Sequence, residues 1–272
     1  MLLVACDLDG TIVRHDGSIS RRTLSTLDMC ARLGVQTIFV TARNVRAMAP
    51  VVSLTGRRGE AICSNGAVVL DLDADRVTKI NAFSPSAIPA AAGILRRLFP
   101  RVSLALDTIE GYLCEPGYFR QANPMHLLAE GPLTDLLSAE PTVTKILCRV
   151  HADAYDHPPS VDDLLTTARR ELVGVADPVH ANPRRHLLEL SAWGTNKAST
   201  LAAIAAERGI PREEVVAFGD MPNDIPMLRW AGRSFAMEDG HPDVKAAATD
   251  VAPPCAEDGV AVVLERLLNG RA

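Results

Sequence analysis

The chain opens on an unbroken apolar run, residues 2–6, that stops on Asp7-Leu8-Asp9-Gly10-Thr11. A run without polar alternation reads as a strand buried on both faces, and such a strand demands a sheet covered by helices on either side. The residues that follow supply that cover. Ser20 can cap a helix with Leu24, Leu27 and Ala31 at helical spacing, Gly34 stops it, and residues 35–40 form a second buried strand. A helix over 44–54, a short strand over 61–63 and a hairpin of 67–70 with 77–80 complete the first part. The alternation returns near the end. Thr195 can cap a helix to Arg208, residues 215–218 read as a strand, and 225–231 as a helix that tolerates Pro226 in its first turn. A strand over 234–237 and a helix over 259–268 follow. Strand–helix alternation of this kind predicts an α/β fold, a mostly parallel sheet with helices on both faces.

Between these halves the texture changes. Residues 81–186 begin with Pro85 and Pro89 before an Ala-rich helix ending near Phe99. Strands then come in adjacent pairs, 102–106 with 112–115, and a strand over 143–150 precedes a helix over 160–172 and a segment 173–180 that leads toward 187–190. Paired strands suggest a separate α+β domain inserted into the α/β one, so that residues 1–80 and 187–272 form a core and 81–186 an insertion. A chain of 272 residues is long enough for both. It carries 28 Lys+Arg against 33 Asp+Glu, and its basic residues come together in nothing longer than pairs, of which Arg57-Arg58 and Arg184-Arg185 come closest to a cluster. That is too little for an electrostatic grip on nucleic acid or anionic lipid, so neither a nucleic-acid nor a membrane partner is expected. No apolar run reaches the roughly 18 residues of a membrane span. Leu3-Val4-Ala5-Cys6 resembles a lipoprotein cleavage site but lacks the basic start and long apolar stretch of a signal peptide. The six cysteines, mostly inside apolar runs and without a Cys-x-x-Cys pair, read as small core hydrophobes of a protein kept in a reducing cytoplasm.

Chemistry gathers where the strands end, since ligands of open α/β sheets bind beyond the carboxyl ends of the strands. Asp7 and Asp9 stand just past the first strand. Two carboxylates there can attract a divalent cation, and one can attack phosphorus while the other moves protons. The plain alternative is an Asp-Gly turn. Thr41-Ala42-Arg43 ends the second strand with a hydroxyl, backbone N–H groups and a guanidinium, a natural phosphate seat, although Thr41 also suits a helix cap. Gly219-Asp220-Met221-Pro222-Asn223-Asp224 adds two carboxylates and an amide at a third strand end, with helix capping as its alternative. Lys197 falls in the first turn of its helix, where the macrodipole disfavours a cation, and this invites a functional reading beside that of a solvated lysine.

Taken together and in this order, Asp7-x-Asp9-Gly10-Thr11, Thr41, Lys197 and Gly219-Asp220-x-x-Asn223-Asp224 resemble the four motifs of the haloacid dehalogenase (HAD) superfamily. Ser64-Asn65-Gly66-Ala67 and the stretch from Leu188-Glu189-Leu190 to Lys197 are similar to its Cof-type phosphatases, which carry an inserted α+β cap of the C2 type. The resemblance implies a Rossmann-like core and Mg²⁺-dependent hydrolysis of a small phosphorylated metabolite, such as a sugar phosphate, through an aspartyl-phosphate. On it, Asp7 is the nucleophile, and Asp9 is the acid and base whose backbone carbonyl helps hold the metal. Thr41 and Lys197 grip phosphoryl oxygens, Lys197 also steadies Asp7, and Asp220 completes the protein ligands of Mg²⁺. Asn223 touches substrate or phosphate, Ala42 and Arg43 line the phosphate seat, and Asp224 supports the metal directly or through a neighbour.

The chain departs from the Cof-type pattern at Ala42, where glycine is usual, and the methyl group narrows any close approach of a ligand to that backbone. No Gly-Lys-Ser/Thr phosphate loop exists, and the seven histidines are scattered. Trp193 beside Gly194 can line the domain junction, with a packed hinge as the plainer reading. Tyr112, Tyr118, Phe119 and Arg120 are candidates for reading substrate within an insertion that acts as a lid and chooses the substrate. Two other functions share these motifs. A phosphosugar mutase, phosphomannomutase-like, must keep water from the aspartyl-phosphate. A non-catalytic phospholigand-binding protein would be expected to have lost a catalytic carboxylate, and Asp7, Asp9 and Asp220 are all retained.

Overall fold

The computed structural model describes residues 1–56, 59–118, 126–180 and 185–270. The chain divides into two compact units, residues 1–79 with 196–272, and residues 80–195. The strands before and at the first crossing are β1 (Leu3–Cys6), β2 (Gln36–Val40), β3 (Glu60–Cys63), β4 (Val68–Asp71) and β5 (Arg76–Ile80). The second unit carries β6 (Val102–Asp107), β7 (Tyr112–Cys114), β8 (Leu127–Glu130), β9 (Lys145–Val150), β10 (Ala176–Val179) and β11 (Leu187–Ala192). The chain then returns to the first unit with β12 (Val215–Gly219), β13 (Arg233–Met237) and β14 (Asp250–Ala252). The helices are α1 (Arg21–Arg32), α2 (Ala49–Thr55), α3 (Ala87–Leu98), α4 (Leu133–Leu137), α5 (Val161–Glu171), α6 (Lys197–Glu207), α7 (Ile225–Trp230), α8 (Pro242–Ala247) and α9 (Gly259–Asn269).

In the first unit the strands line up as β14-β13-β12-β1-β2-β3-β4-β5, parallel as far as β3, with β4 antiparallel to it. The apolar run behaves as its composition demands, and every residue of β1 is buried. Leu3 and Ala5 pack with Ile38, Val40 and Ala217 against Leu201, Ile204 and Leu228 of α6 and α7. On α1, Ser20 caps the start by accepting from the N–H of Thr23, and Gly34 follows the end with φ +73°. The buried stripe of α1 is Thr23, Thr26 and Cys30, not the expected Leu24, Leu27 and Ala31, the last of which is exposed. Threonine can bury itself in a helix because Thr26 Oγ1 donates to the carbonyl of Arg22, and α9 packs on that side. Neither α8 nor β14 showed a periodic apolar pattern, and both are too short to produce one.

The second unit has its own sheet, β10-β11-β9-β6-β7-β8, and its own core. Leu104, Leu106, Ile146, Cys148, Leu188 and Leu190 face Ile88 and Leu95 of α3 and Leu164 of α5, as the twofold alternation of strands requires. The second crossing lies at 195/196 and not at 186/187. Leu188 pairs with Cys148 and Leu190 with Ile146 across an antiparallel ladder, so the backbone hydrogen bonds of β11 are satisfied inside this sheet. Of the residues expected to read substrate, Tyr118 is buried within the unit beneath the Arg149 guanidinium, 5.2 Å from its ring centre. Tyr112 is half-buried beside it, and Phe119 and Arg120 lie outside the described residues. Trp193 is 50% exposed rather than packed. All six cysteines are buried and none is in a disulfide, and no described helix is long and apolar enough to cross a membrane.

Candidate active site

Four neighbouring strands, β12, β1, β2 and β3, release Asp220, Asp7, Thr41 and Ser64 at one edge of the first unit's sheet. The hydrogen-bond ladder runs one step past the strands. Asp7 N–H donates to the Phe218 carbonyl at 3.0 Å, and Thr41 N–H to that of Ile62 at 2.8 Å. The first polar residue is therefore held as firmly as the last apolar one. Gly10, at φ +88°, turns the chain immediately afterwards, and a Cβ at that position would run into Asp220 Oδ2. Thr11 Oγ1 donates to Asp220 Oδ1 at 3.3 Å. Gly10→Ala is expected to push Asp220 aside and lower kcat/KM at least about tenfold, or about 1.4 kcal/mol. Wild-type kinetics in that variant would show that the position of Asp220 does not matter.

Asn196, one residue beyond Thr195, caps α6. Its Oδ1 accepts from the N–H groups of Ala198 and Ser199 at 3.0 Å each. The next residue is Lys197, whose side chain is wholly buried. Its Nζ donates to Asp7 Oδ1 at 2.5 Å and to Asp224 Oδ1 at 2.6 Å. Asp224 Oδ2 accepts the N–H groups of Asp220 and Met221 at 3.1 and 3.0 Å. Both oxygens of Asp224 are thus engaged by protein donors, which suits it to hold Lys197 and its own loop.

Charge does not balance among these groups. Asp7, Asp220 and Asp224 each place an oxygen within 4.8 Å of the others, and the Lys197 ammonium bonds to Asp7 and Asp224 alone among them. Burial, followed by the charges of Asp224 and Asp9, pushes Asp7 up to about 7 against the pull of Lys197. Burial and then the charges of Asp7 and Asp224 push Asp220 up to about 9. Burial opposes the charge on Lys197, yet Asp224 and Asp7 together hold its pKa above the ordinary lysine range. These raised pKa values mark a cluster short of positive charge, and the hard oxygen donors of Asp7 and Asp220 fit a divalent cation of the Mg²⁺ type. Asp9 lies apart from this cluster. Its side chain is 57% exposed, and Arg43 grips it with both arms, Nε to Oδ2 at 2.8 Å and Nη2 to Oδ1 at 2.5 Å. Arg43, expected on a phosphoryl oxygen, is in this structure on the carboxylate expected to move protons. The Arg43 N–H also donates to Thr41 Oγ1 at 3.0 Å, while Ala42 between them is half-buried. Asn223 is buried, and its Nδ2 donates to Asn65 Oδ1 at 3.0 Å. No role was expected of Ser64-Asn65-Gly66, whose one signal is a short polar turn at the end of a buried strand.

Residues 4–264 match the model of the haloacid dehalogenase-like hydrolases. The chain belongs to that family. This hydrolase is 28% identical over 278 residues to a 5-amino-6-(5-phospho-D-ribitylamino)uracil phosphatase of Bacillus subtilis, covering 98% of this chain and 97% of the relative. It is 25% identical to an HMP-PP phosphatase of Yersinia enterocolitica, covering 98% and 95%. A solved haloacid dehalogenase-like hydrolase from B. subtilis has the same fold, with a TM-score of 0.81 at 22% identity over 98% of this chain and 100% of that one. A solved HAD subclass IIB sugar phosphatase gives 0.77 at 21% identity over 98% and 99%. The Rossmann-like α/β core expected of the hydrolase agrees with these folds, and its expected class, a phosphoric monoester hydrolase, agrees with the names of both relatives.

Proposed function

We propose that this hydrolase is a Mg²⁺-dependent phosphatase of a small phosphorylated metabolite, working through an aspartyl-phosphate on Asp7. The observation that carries the reading is Asp7 itself, buried at the end of β1, with one oxygen on the Lys197 ammonium and Asp220 and Thr41 on the flanking strands. The metal, when bound, neutralises charge on the phosphoryl oxygens. Lys197 holds one Asp7 oxygen in place and leaves the other to attack phosphorus. Thr41 Oγ1 and the Ala42 N–H bind phosphoryl oxygens at the end of β2, joined by Asn223 from the loop after β12. An incoming phosphate draws Arg43 toward itself and so releases Asp9. Once released, Asp9 takes up a proton from solvent, gives it to the leaving oxygen, and afterwards takes one from the water that cleaves the acyl phosphate. Substrate choice falls to residues 80–195, where none of these groups resides.

The test is release of inorganic phosphate from a panel of phosphorylated metabolites, including the substrates named for the two relatives and a set of sugar phosphates. Activity is expected with Mg²⁺ and is expected to vanish with EDTA. Release that continues undiminished in EDTA would sink the metal-dependent mechanism. Transfer of the phosphoryl group to a second sugar hydroxyl, in place of release, would identify a mutase.

A further inference from the structure

The turn after β3 contains two consecutive non-glycine residues in the left-handed region, Ser64 at φ 49° and Asn65 at φ 56°. Each costs on the order of 1 kcal/mol unless its surroundings impose it. Asparagine tolerates this conformation better than most residues, but serine has no such excuse, and both are buried. The surroundings that impose it are the elements of the candidate site. Ser64 N–H donates to the Arg43 carbonyl at 2.8 Å, and Asn65 N–H to that of Thr41 at 3.0 Å. The Gly66 carbonyl accepts from Thr200 Oγ1 of α6 at 2.7 Å, and a Cβ on Gly66 would collide with the backbone of Asn196, the residue before Lys197. The Asn65 side chain accepts from Asn223 Nδ2. One three-residue turn therefore touches the segments that present Thr41, Lys197 and Asn223.

Asn223 depends on this turn more than the others do. Thr41 is fixed by the sheet ladder and Lys197 by two carboxylates. The Asn223 amide is buried with its Oδ1 unpartnered, so its bond to Asn65 is what fixes its rotation among the described residues. We propose that Asn65 is a positioning residue of the phosphoryl site. Its backbone N–H braces the Thr41 carbonyl, and its side chain holds the Asn223 amide so that the second N–H points at the phosphoryl group. The inference rests on the phosphatase reading for the identity of that group, but the anchoring itself does not.

Asn65→Gly keeps the left-handed backbone and removes only the side chain, and Asn65→Ala removes the side chain and strains the backbone. With p-nitrophenyl phosphate as substrate, Asn65→Gly is expected to lower kcat/KM about tenfold, as Asn223→Ala does, and the double variant is expected to be no worse than either single. Asn65→Ala is expected to show the same kinetic loss with a lower melting temperature, while Asn65→Gly melts like the wild type. In the ¹⁵N spectrum of the resting protein, the Asn223 side-chain NH₂ pair, assigned by its loss in Asn223→Ala, is expected to move toward the position of a free amide in Asn65→Gly. An unmoved NH₂ pair, wild-type kcat/KM in Asn65→Gly, or losses that multiply in the double variant would each overturn the proposal. An inactive wild type would refute the phosphatase reading and leave the spectrum to decide the anchor.

Discussion

Asp7→Asn is expected to reduce turnover by more than about a thousandfold, or about 4 kcal/mol, without loss of fold. The amide is nearly isosteric and still accepts a hydrogen bond from Lys197, but it is a poor nucleophile and a weak metal ligand. The same change removes a carboxylate that is buried beside Asp220 and Asp224 and pushed up to about 7 by that burial. In metal-free buffer the variant is therefore expected to unfold at a urea concentration no lower than the wild type. A folded Asp7→Asn enzyme retaining a tenth of the wild-type rate would rule out covalent chemistry on this residue.

Lys197→Met is expected to be the opposite case, damaging fold and function together. The ammonium is wholly buried and pairs with Asp7 at 2.5 Å and Asp224 at 2.6 Å, so its removal strands two buried carboxylates. Breaking a buried pair from one side costs about 3–5 kcal/mol, a large share of the stability of an ordinary domain. Adding Mg²⁺ is expected to recover more stability in Lys197→Met than in the wild type, because the cation then supplies the charge that the lysine gave. Equal denaturation curves for variant and wild type, at every Mg²⁺ concentration, would show that Lys197 does not balance this cluster.

What could be read from the residues alone was whatever short stretches determine by themselves. The run into Asp7-Leu8-Asp9-Gly10 announces a buried strand and a turn because both signals are local, and Ser20 and Gly34 mark the ends of α1 for the same reason. The buried stripe of α1 falls on Thr23, Thr26 and Cys30 instead of the leucines, and Thr26 can join it because its hydroxyl is satisfied on its own helix. β11 was assigned to the wrong unit because nothing in Leu187–Ala192 says which sheet will pair with it. At the site, the contact of Lys197 with Asp7 was expected from the motifs, but two other partnerships were not. The Arg43–Asp9 pair spans 34 positions and the Asn223–Asn65 bond 158, distances over which spacing carries no information.

The strand order has a consequence for how such a molecule is made. β1 lies between β2, which follows soon after it, and β12, which lies beyond the entire second unit. Asp7 and Lys197 are 190 residues apart. At ribosomal rates of about 5–20 residues per second, the aspartate waits on the order of ten seconds or more for its counter-charge to be synthesised. In that interval residues 80–195, contiguous in sequence and with a core of their own, can close without help from the flanking halves. A chain interrupted before β12 then holds a finished insertion and an open half-sheet whose edge strand, β1, is wholly apolar. Asp7 and the lysine that pairs with it meet only after the whole second unit has been made. A copy interrupted before β12 therefore lacks both Asp220 and one neighbour of β1, and is expected to stick to other such copies until β12 covers that edge.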